Sequence, residues 1–169
     1  MKIYFHIITV FVVVAFMGCQ NYGPQEPQTM TLDELGKQFV KAAAVGDIDA
    51  IERMHITREE FRTTFSGEGL DALYDSIHKE FYSSLTKTVP RLKGAQFVRM
   101  NMEYCPEPIS TRPGMNFGAV TFRGETLATD NIRVIVKVGE EEREIKLDAQ
   151  VKVGARWRLL SPIELLPAR

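Results

Sequence analysis

Cysteine is scarce in this chain, with only Cys19 and Cys105 among 169 residues. So few thiols exclude a disulfide-rich scaffold, and the fold must therefore be held together by an apolar core. Histidine is equally rare, with three residues, and no HxH, HExxH or CxxC spacing occurs, so no metal-ligand set is predicted. The GxSxG, GxGxxG and P-loop motifs are absent as well. We predict no catalytic residue and no cofactor.

An excess of charge of one sign is also lacking. The 21 basic residues are balanced by 22 acidic ones, for a net charge of −1. This balance does not indicate the basic surface that a nucleic-acid-binding protein needs. The hydrophobic share of 44% and the charged share of 25% are typical of a globular chain, and 169 residues suffice for one domain with a core.

One long apolar run is present, at the N-terminus. Residues 3–17 follow a basic start at Lys2 and are apolar apart from Tyr4, His6 and Thr9. A run of about 15 residues is shorter than the roughly 20 that cross a bilayer as a helix. Its length and flanks are typical of the hydrophobic region of a signal peptide.

The run ends at Gly18 and Cys19, where it resembles the lipobox of bacterial lipoprotein signal peptides. The resemblance implies cleavage before Cys19 and attachment of diacylglycerol and palmitate-type chains to that residue, which would anchor the protein in the cell envelope. Gln20 then implies the periplasmic face of the outer membrane, if the cell is Gram-negative. An ordinary secretory signal or an uncleaved anchor would explain the same run.

The rest of the chain divides by composition. Residues 20–28 hold two prolines, a glycine and four glutamines or asparagines, which is typical of a linker. We predict a signal peptide over residues 1–18, the lipidated cysteine and linker over 19–30, one domain over 31–166 and a tail over 167–169.

The first half of the predicted domain has the signals of helices. Thr31 with Glu34, and Thr57 with Glu60, have the spacing of capping boxes, so a helix is predicted to start at each threonine. A Gly-Asp pair at 46–47 separates a short second helix from the first. The longest helix is predicted over residues 70–88, with an apolar face formed by Leu70, Leu73, Tyr74, Ile77, Phe81 and Leu85.

The second half alternates with a period of two. Three strands are predicted to form an antiparallel meander, with turns at Gly139 and Gly154, over residues 131–138, 143–153 and 156–165. Residues 105–127 are the least regular, with one strand predicted near 117–122. Helices followed by antiparallel strands predict an α+β fold, with N-terminal helices packed on a curved antiparallel sheet.

Two stretches carry a resemblance to a known superfamily: FVKAAAVGDIDAIERM at residues 39–54 and VKVGARWRLL at 151–160. They resemble the nuclear transport factor two-like superfamily, a cone-shaped α+β fold that includes SnoaL-like cyclases and ketosteroid isomerase. The resemblance covers about residues 31–166. It implies a pocket between the helices and the concave face of the sheet, and it allows a homodimer through the sheet. No catalytic residue can be carried over from a named member.

The candidate ligand pocket rests on residues with helical spacing. Tyr74, His78 and Tyr82 recur every four residues along the long helix, and Met102 and Tyr104 are expected opposite them. A histidine in such a pocket would serve as a general base. The same spacing also fits amphipathic side chains at the edge of an apolar face, with their polar tips in water.

Other polar residues are expected to be structural. We predict that His55, near a helix junction, is exposed. Glu144 and Asp148 alternate with apolar residues and are predicted to lie on a solvated sheet face with Lys146 and Lys152.

We therefore expect a membrane-anchored cell-envelope lipoprotein whose domain is a non-enzymatic binding or interaction module, for a small apolar ligand or an envelope protein. One alternative is a pocket enzyme of the isomerase, dehydratase or hydrolase type. The other is a structural partner in an envelope complex. An open cavity with His78 or Tyr104 facing inward would favour the enzyme. The scaffold would be favoured by a cavity filled by Met100, Met102, Phe81 and Trp157.

Overall fold

The computed structural model describes residues 30–101 and 108–167. Within these ranges lie four α-helices: α1 Leu32–Val45, α2 Ile48–Glu52, α3 Arg58–Thr64 and α4 Leu70–Thr88. The strands are β1 Phe65–Ser66, β2 Gln96–Asn101, β3 Ile109–Ser110, β4 Asn116–Phe117, β5 Val120–Phe122, β6 Leu127–Thr129, β7 Ile132–Val138, β8 Glu141–Leu147, β9 Gln150–Val153, β10 Arg156–Leu159 and β11 Ile163–Leu165. The predicted α+β class is confirmed.

The helices start where the capping boxes predict. Thr31 Oγ1 accepts a hydrogen bond from the Glu34 amide at 3.2 Å, and the Glu34 carboxylate accepts one from the Thr31 amide at 2.7 Å. The second box, of Thr57 and Glu60, has the corresponding distances of 3.2 and 2.9 Å. Because these bonds satisfy amides that a helix start leaves unpaired, they fix the first residue of α1 and of α3.

The ends of the two longer helices differ. Gly46, which follows α1, has φ of 78°, a left-handed conformation that glycine adopts without strain. The predicted bounds of α4 are confirmed, and a short 3₁₀ turn, Val89–Leu92, continues from it. Pro90 lies at the start of this turn, among the first positions of a helix, where proline is best tolerated.

All the paired strands are antiparallel, in the orders β10-β9-β6-β3, β11-β8-β7-β2 and β1-β5-β4. The first two sheets are linked because β6 leads into β7, β8 into β9 and β10 into β11. The three points at which the chain passes between the sheets lie side by side. In one sheet Gln150 pairs with Thr129 and Leu159, the residues just before or after their crossings. In the other sheet Leu147 pairs with Ile132 and Ile163. The strands therefore pass from one sheet to the other along a common line.

The predicted single strand over residues 143–153 is wrong. It is interrupted at Asp148 and Ala149, so β8 and β9 belong to different sheets and the meander is not continuous. At the break the Ala149 amide donates to Ser161 Oγ at 2.7 Å, and the Ala149 carbonyl accepts from the Leu160 amide at 2.9 Å. These bonds replace the ladder and turn the chain.

Two apolar clusters form the core. The larger one lies between α1, α4 and the sheet, and includes Phe39, Phe81, Val134, Ile145 and Trp157. The smaller one lies between α3, the start of α4 and β5, and includes Phe61, Phe65, Tyr74, Phe122 and Leu160. The sequence analysis did not predict the second cluster, which packs α3 and the start of α4 against β5.

The least regular stretch of the sequence contains more strand than predicted. Instead of one strand near residues 117–122, β4 and β5 form a hairpin, and β5 also pairs with β1 after α3. Among the described residues, no helix is both long and apolar enough to cross a membrane. Cys19, Met102, Tyr104 and Cys105 lie outside the described residues.

Candidate functional site

The structure brings together two of the five predicted pocket residues. Tyr74 and His78 lie one turn apart on α4, and their rings stack with centroids 5.7 Å apart and planes 7° from parallel. Tyr82, one turn further along, is 45% exposed and does not line the same cleft. Met102 and Tyr104, predicted to lie opposite, are outside the described residues.

His55 is buried, and the prediction that it is exposed is wrong. Only 2% of its surface is accessible, and its ring lies 4.3 Å from that of Phe81. The residue follows α2, where its backbone forms a parallel bridge with Leu159 that draws it under the sheet. The apolar neighbours Met54 and Ile56 are the one signal in the sequence that could have indicated this burial.

The environment of His55 favours its neutral form. Burial lowers its pKa from 6.5 to about 4, although its bond with the Ile56 carbonyl acts in the opposite direction. Nδ1 lies 2.8 Å from that carbonyl oxygen and donates to it, which leaves Nε2 as the unprotonated nitrogen. Nε2 is buried and has no hydrogen-bond partner among the described residues.

His78 lies above His55, at an open cleft of about 490 Å³. Their ring centroids are 5.3 Å apart, and His78 Nε2 is 3.5 Å from Glu52 Oε1. We name this feature the histidine cleft; it is lined by Asp49, Glu52, Arg53, His55, Ile56, Thr57, Tyr74 and His78. A carboxylate beside an imidazole can hold and pass a proton at the mouth of the cleft. The described residues contain no group of three or more ligands that could hold a metal ion.

Tyr74 is a fixed wall of the histidine cleft. Its hydroxyl donates to the Ile56 carbonyl at 3.3 Å, and the Arg58 guanidinium lies 4.6 Å from its ring centroid. Burial raises the pKa of the Tyr74 hydroxyl further above neutral, so the group is a hydrogen-bond donor rather than an acid at neutral pH. Arg58 is itself held by ion pairs with Asp71 and Asp75.

A second concavity, the apolar pocket, lies on the other side of α4's first turns. It encloses about 220 Å³. Its lining contains no ionisable residue and consists of Phe61, Phe65, Leu73, Ile77, Phe117, Gly118, Ala119, Val120, Ala149, Leu160, Ser161 and Pro162. Leu73 and Ile77 were predicted as part of an apolar helix face, but the sequence did not indicate that this part of the face borders an opening.

The space between the long helices and the sheet is occupied by side chains. Phe81 and Trp157 are 0% and 5% exposed, and Met100 packs against the same cluster. Met102, the fourth residue expected to fill this space, is outside the described residues. Filling of this kind is what the scaffold alternative predicts.

The predicted solvated face of the sheet is only partly correct. Asp148 forms an ion pair with Lys146 at 3.1 Å, at the surface. Glu144, by contrast, is 8% exposed and receives a hydrogen bond from Arg133 at 2.8 Å. Its carboxylate is buried because the pairing of β7 with β8 places it opposite Ile135, beside the arginine.

Comparison of the chain with protein-family models, with curated proteins and with solved structures finds no match.

Proposed function

We propose that the protein is a membrane-anchored lipoprotein of the cell envelope whose domain is a non-enzymatic binding module. In this proposal the domain is a cone of the nuclear transport factor two-like type. The cone is supported by the order of the elements, in which the helices precede every strand except the two-residue β1. It is also supported by the common line along which three chain segments pass between the two sheets.

The observation that carries the binding function is that the apolar pocket is open, whereas the space between the long helices and the sheet is filled. The space where the superfamily resemblance implies a pocket is filled by Phe81 and Trp157. Of the openings described above, the apolar pocket has no acid or base in its wall, whereas the histidine cleft is lined by several. General acid–base chemistry requires such a group within hydrogen-bond reach of the substrate. A protein that binds an apolar ligand without reacting with it needs only an apolar pocket.

The anchor is supported by the N-terminal sequence. The apolar run ends at Gly18 and Cys19, and residues 20–30 separate it from the first capped helix. The Met30 amide donates to the Ala155 carbonyl at 3.0 Å, so the chain enters the domain beside the turn between β9 and β10. Eleven linker residues reach at most about 35–40 Å when extended, which would keep the domain close to the membrane surface.

Two other functions use different parts of the molecule. A pocket enzyme would use His78 and Glu52, which pair at the mouth of the histidine cleft. A structural partner of an envelope complex would use exposed apolar side chains, of which Tyr82 and Ile109 are examples.

Replacement of each cysteine in turn tests the anchor. In Cys19→Ser we expect loss of fatty-acid labelling and appearance of the chain in unprocessed or soluble form, because the thioether cannot form. The matched control is Cys105→Ser, which keeps Cys19 and should remain labelled and membrane-bound. Fatty-acid incorporation into Cys19→Ser equal to that of the control would show that the lipid is not at Cys19.

A further inference from the structure

Three phenylalanine rings form part of the wall of the apolar pocket: Phe61, Phe65 and Phe117. The ring centroids of Phe61 and Phe65 are 5.0 Å apart, and those of Phe65 and Phe117 are 6.1 Å apart with planes 18° from parallel. Phe61 and Phe65 are buried, whereas Phe117 is half-buried on strand β4. The back wall is therefore fixed within the core, while one side belongs to a short edge hairpin.

The pocket is open to solvent at the turn of that hairpin. Gly118 and Ala119, which form the turn between β4 and β5, are exposed, and Pro162 is exposed on the opposite rim. Ile77 of α4 is half-buried between them. A small molecule can thus reach the aromatic wall without displacement of a helix.

We infer that the apolar pocket is a binding site for a small uncharged hydrocarbon group, either a substituted aromatic ring or a short branched chain. An apolar cavity of about 150 Å³ lined by leucine, isoleucine and phenylalanine stays dry and binds benzene. The pocket here holds about 220 Å³, so it has room for a ring with substituents. This inference deepens the proposed binding function and rests on it.

The lining also indicates what the ligand lacks. A charged ligand would lose its hydration without gaining an ion pair, because no ionisable residue lines the pocket. Ser161 is the one residue of the wall with a polar side chain, and its Oγ accepts a hydrogen bond from the Ala149 amide. Since a hydroxyl can also donate, one hydroxyl or carbonyl oxygen of the ligand is accommodated at that end.

Photolabelling of the full-length protein in membranes tests the site. The probe is trifluoromethyl phenyl diazirine, an uncharged substituted ring that inserts into neighbouring side chains on illumination. We expect the label on peptides that carry Phe65, Ile77 or Phe117, and we expect excess toluene to reduce it. A wild-type protein labelled no more on these peptides than on the exposed side of α1, at Lys37 and Lys41, would overturn the inference.

Two variants and a matched control make the test specific. Ala149→Leu extends a side chain into the pocket and takes up space that the probe would fill. Each methylene-sized part of the probe that is no longer buried weakens binding about fourfold, so the loss of two or more should lower labelling of the three peptides by about tenfold or more. Ala72→Leu makes the same change on the exposed side of α4 and should leave labelling unchanged. If Ala149→Leu does not fold, Ile77→Glu places a carboxylate at the half-buried rim and should have the same effect.

The outcomes separate this inference from the anchor. If Ala149→Leu and Ile77→Glu leave the labelling of these peptides unchanged, the probe does not bind in the apolar pocket. A protein that pellets with membranes but is not labelled in the pocket retains the anchor and loses this site. A protein labelled in the pocket but found in the soluble fraction loses the anchor and retains the site.

Discussion

At the scale of single residues, His55 links acid conditions to stability. Its pKa is about 4 in the folded protein and 6.5 when unperturbed, so the unfolded chain binds the proton more readily. Because the pKa of His55 is lower in the folded protein, its contribution to the free energy of unfolding is complete above pH 6.5. That contribution is lost as the pH falls toward 4. The cause is the buried ring, which cannot take up a charge among Phe81, Tyr74 and His78 without a large cost.

We predict that the wild type loses about 3 kcal/mol more unfolding free energy than His55→Phe between pH 7 and pH 4. Phenylalanine keeps the ring against Phe81 but cannot be protonated, and the Ile56 carbonyl still accepts from the Tyr74 hydroxyl. Urea unfolding at a series of pH values measures the difference. His78→Gln, at the half-exposed neighbour, keeps the buried His55 and should retain most of the wild-type loss, because burial is the largest cause of the lowered pKa. Parallel curves for the wild type and His55→Phe would mean that His55 is not held neutral by burial.

At the scale of elements, the two capping boxes differ in their surroundings. The box of Thr31 is a local device, whereas Glu60 of the second box also accepts two bonds from Arg158 on β10, at 2.9 and 2.6 Å. The Glu60 carboxylate therefore connects the start of α3 to the sheet. Loss of the Thr57 hydroxyl leaves the Glu60 amide without its acceptor, at the helix start that this carboxylate ties to the sheet.

We predict that Thr31→Ala and Thr57→Ala each lower the free energy of unfolding by about 0.5–2 kcal/mol, with the larger loss at Thr57. No hydrogen bond among the described residues joins the two boxes, so the losses should add in the double variant. Thr63→Ala, an exposed threonine inside α3, is the control and should change stability little. Chemical denaturation measures all four proteins. A stable Thr57→Ala variant would indicate that the tie between Glu60 and Arg158 is enough to hold α3.

The helices whose bounds depend on residues close in the sequence are those that could be predicted from the sequence. The bounds of α4 and the starts of α1 and α3 follow from spacing within a few residues. The break between β8 and β9 could not be predicted, because the groups that replace its ladder, the Ser161 hydroxyl and the Leu160 amide, come from a later part of the chain. The candidate site divides in the same way: Tyr74 and His78 share one helix, but Glu52 and His55 reach them only through the fold.

At the scale of the whole molecule, the two apolar clusters share their supports. Helix α4 contributes Tyr74 to the smaller cluster and Phe81 to the larger. Adjacent residues of the same chain segment, Leu159 and Leu160, are likewise divided between them. Loss of packing in one cluster therefore removes the frame of the other, and the domain should unfold in one cooperative step.

We predict that Phe65→Ala, in the smaller cluster, shifts the unfolding transition of the larger one by about 3–5 kcal/mol, the usual loss for a buried aromatic residue. Phe65 is 0% exposed, and Trp157, the single tryptophan of the chain, reports on the larger cluster by its fluorescence. Val45→Ala, at a position 78% exposed, is the control and should leave the transition in place. Far-ultraviolet circular dichroism should follow the same curve as the fluorescence, because helices and sheet are lost together. A tryptophan transition that Phe65→Ala leaves unmoved, while the dichroism signal falls in two steps, would mean that the clusters unfold independently. The smaller cluster, with the apolar pocket, would then be a separate unit that can open while the larger one stays folded.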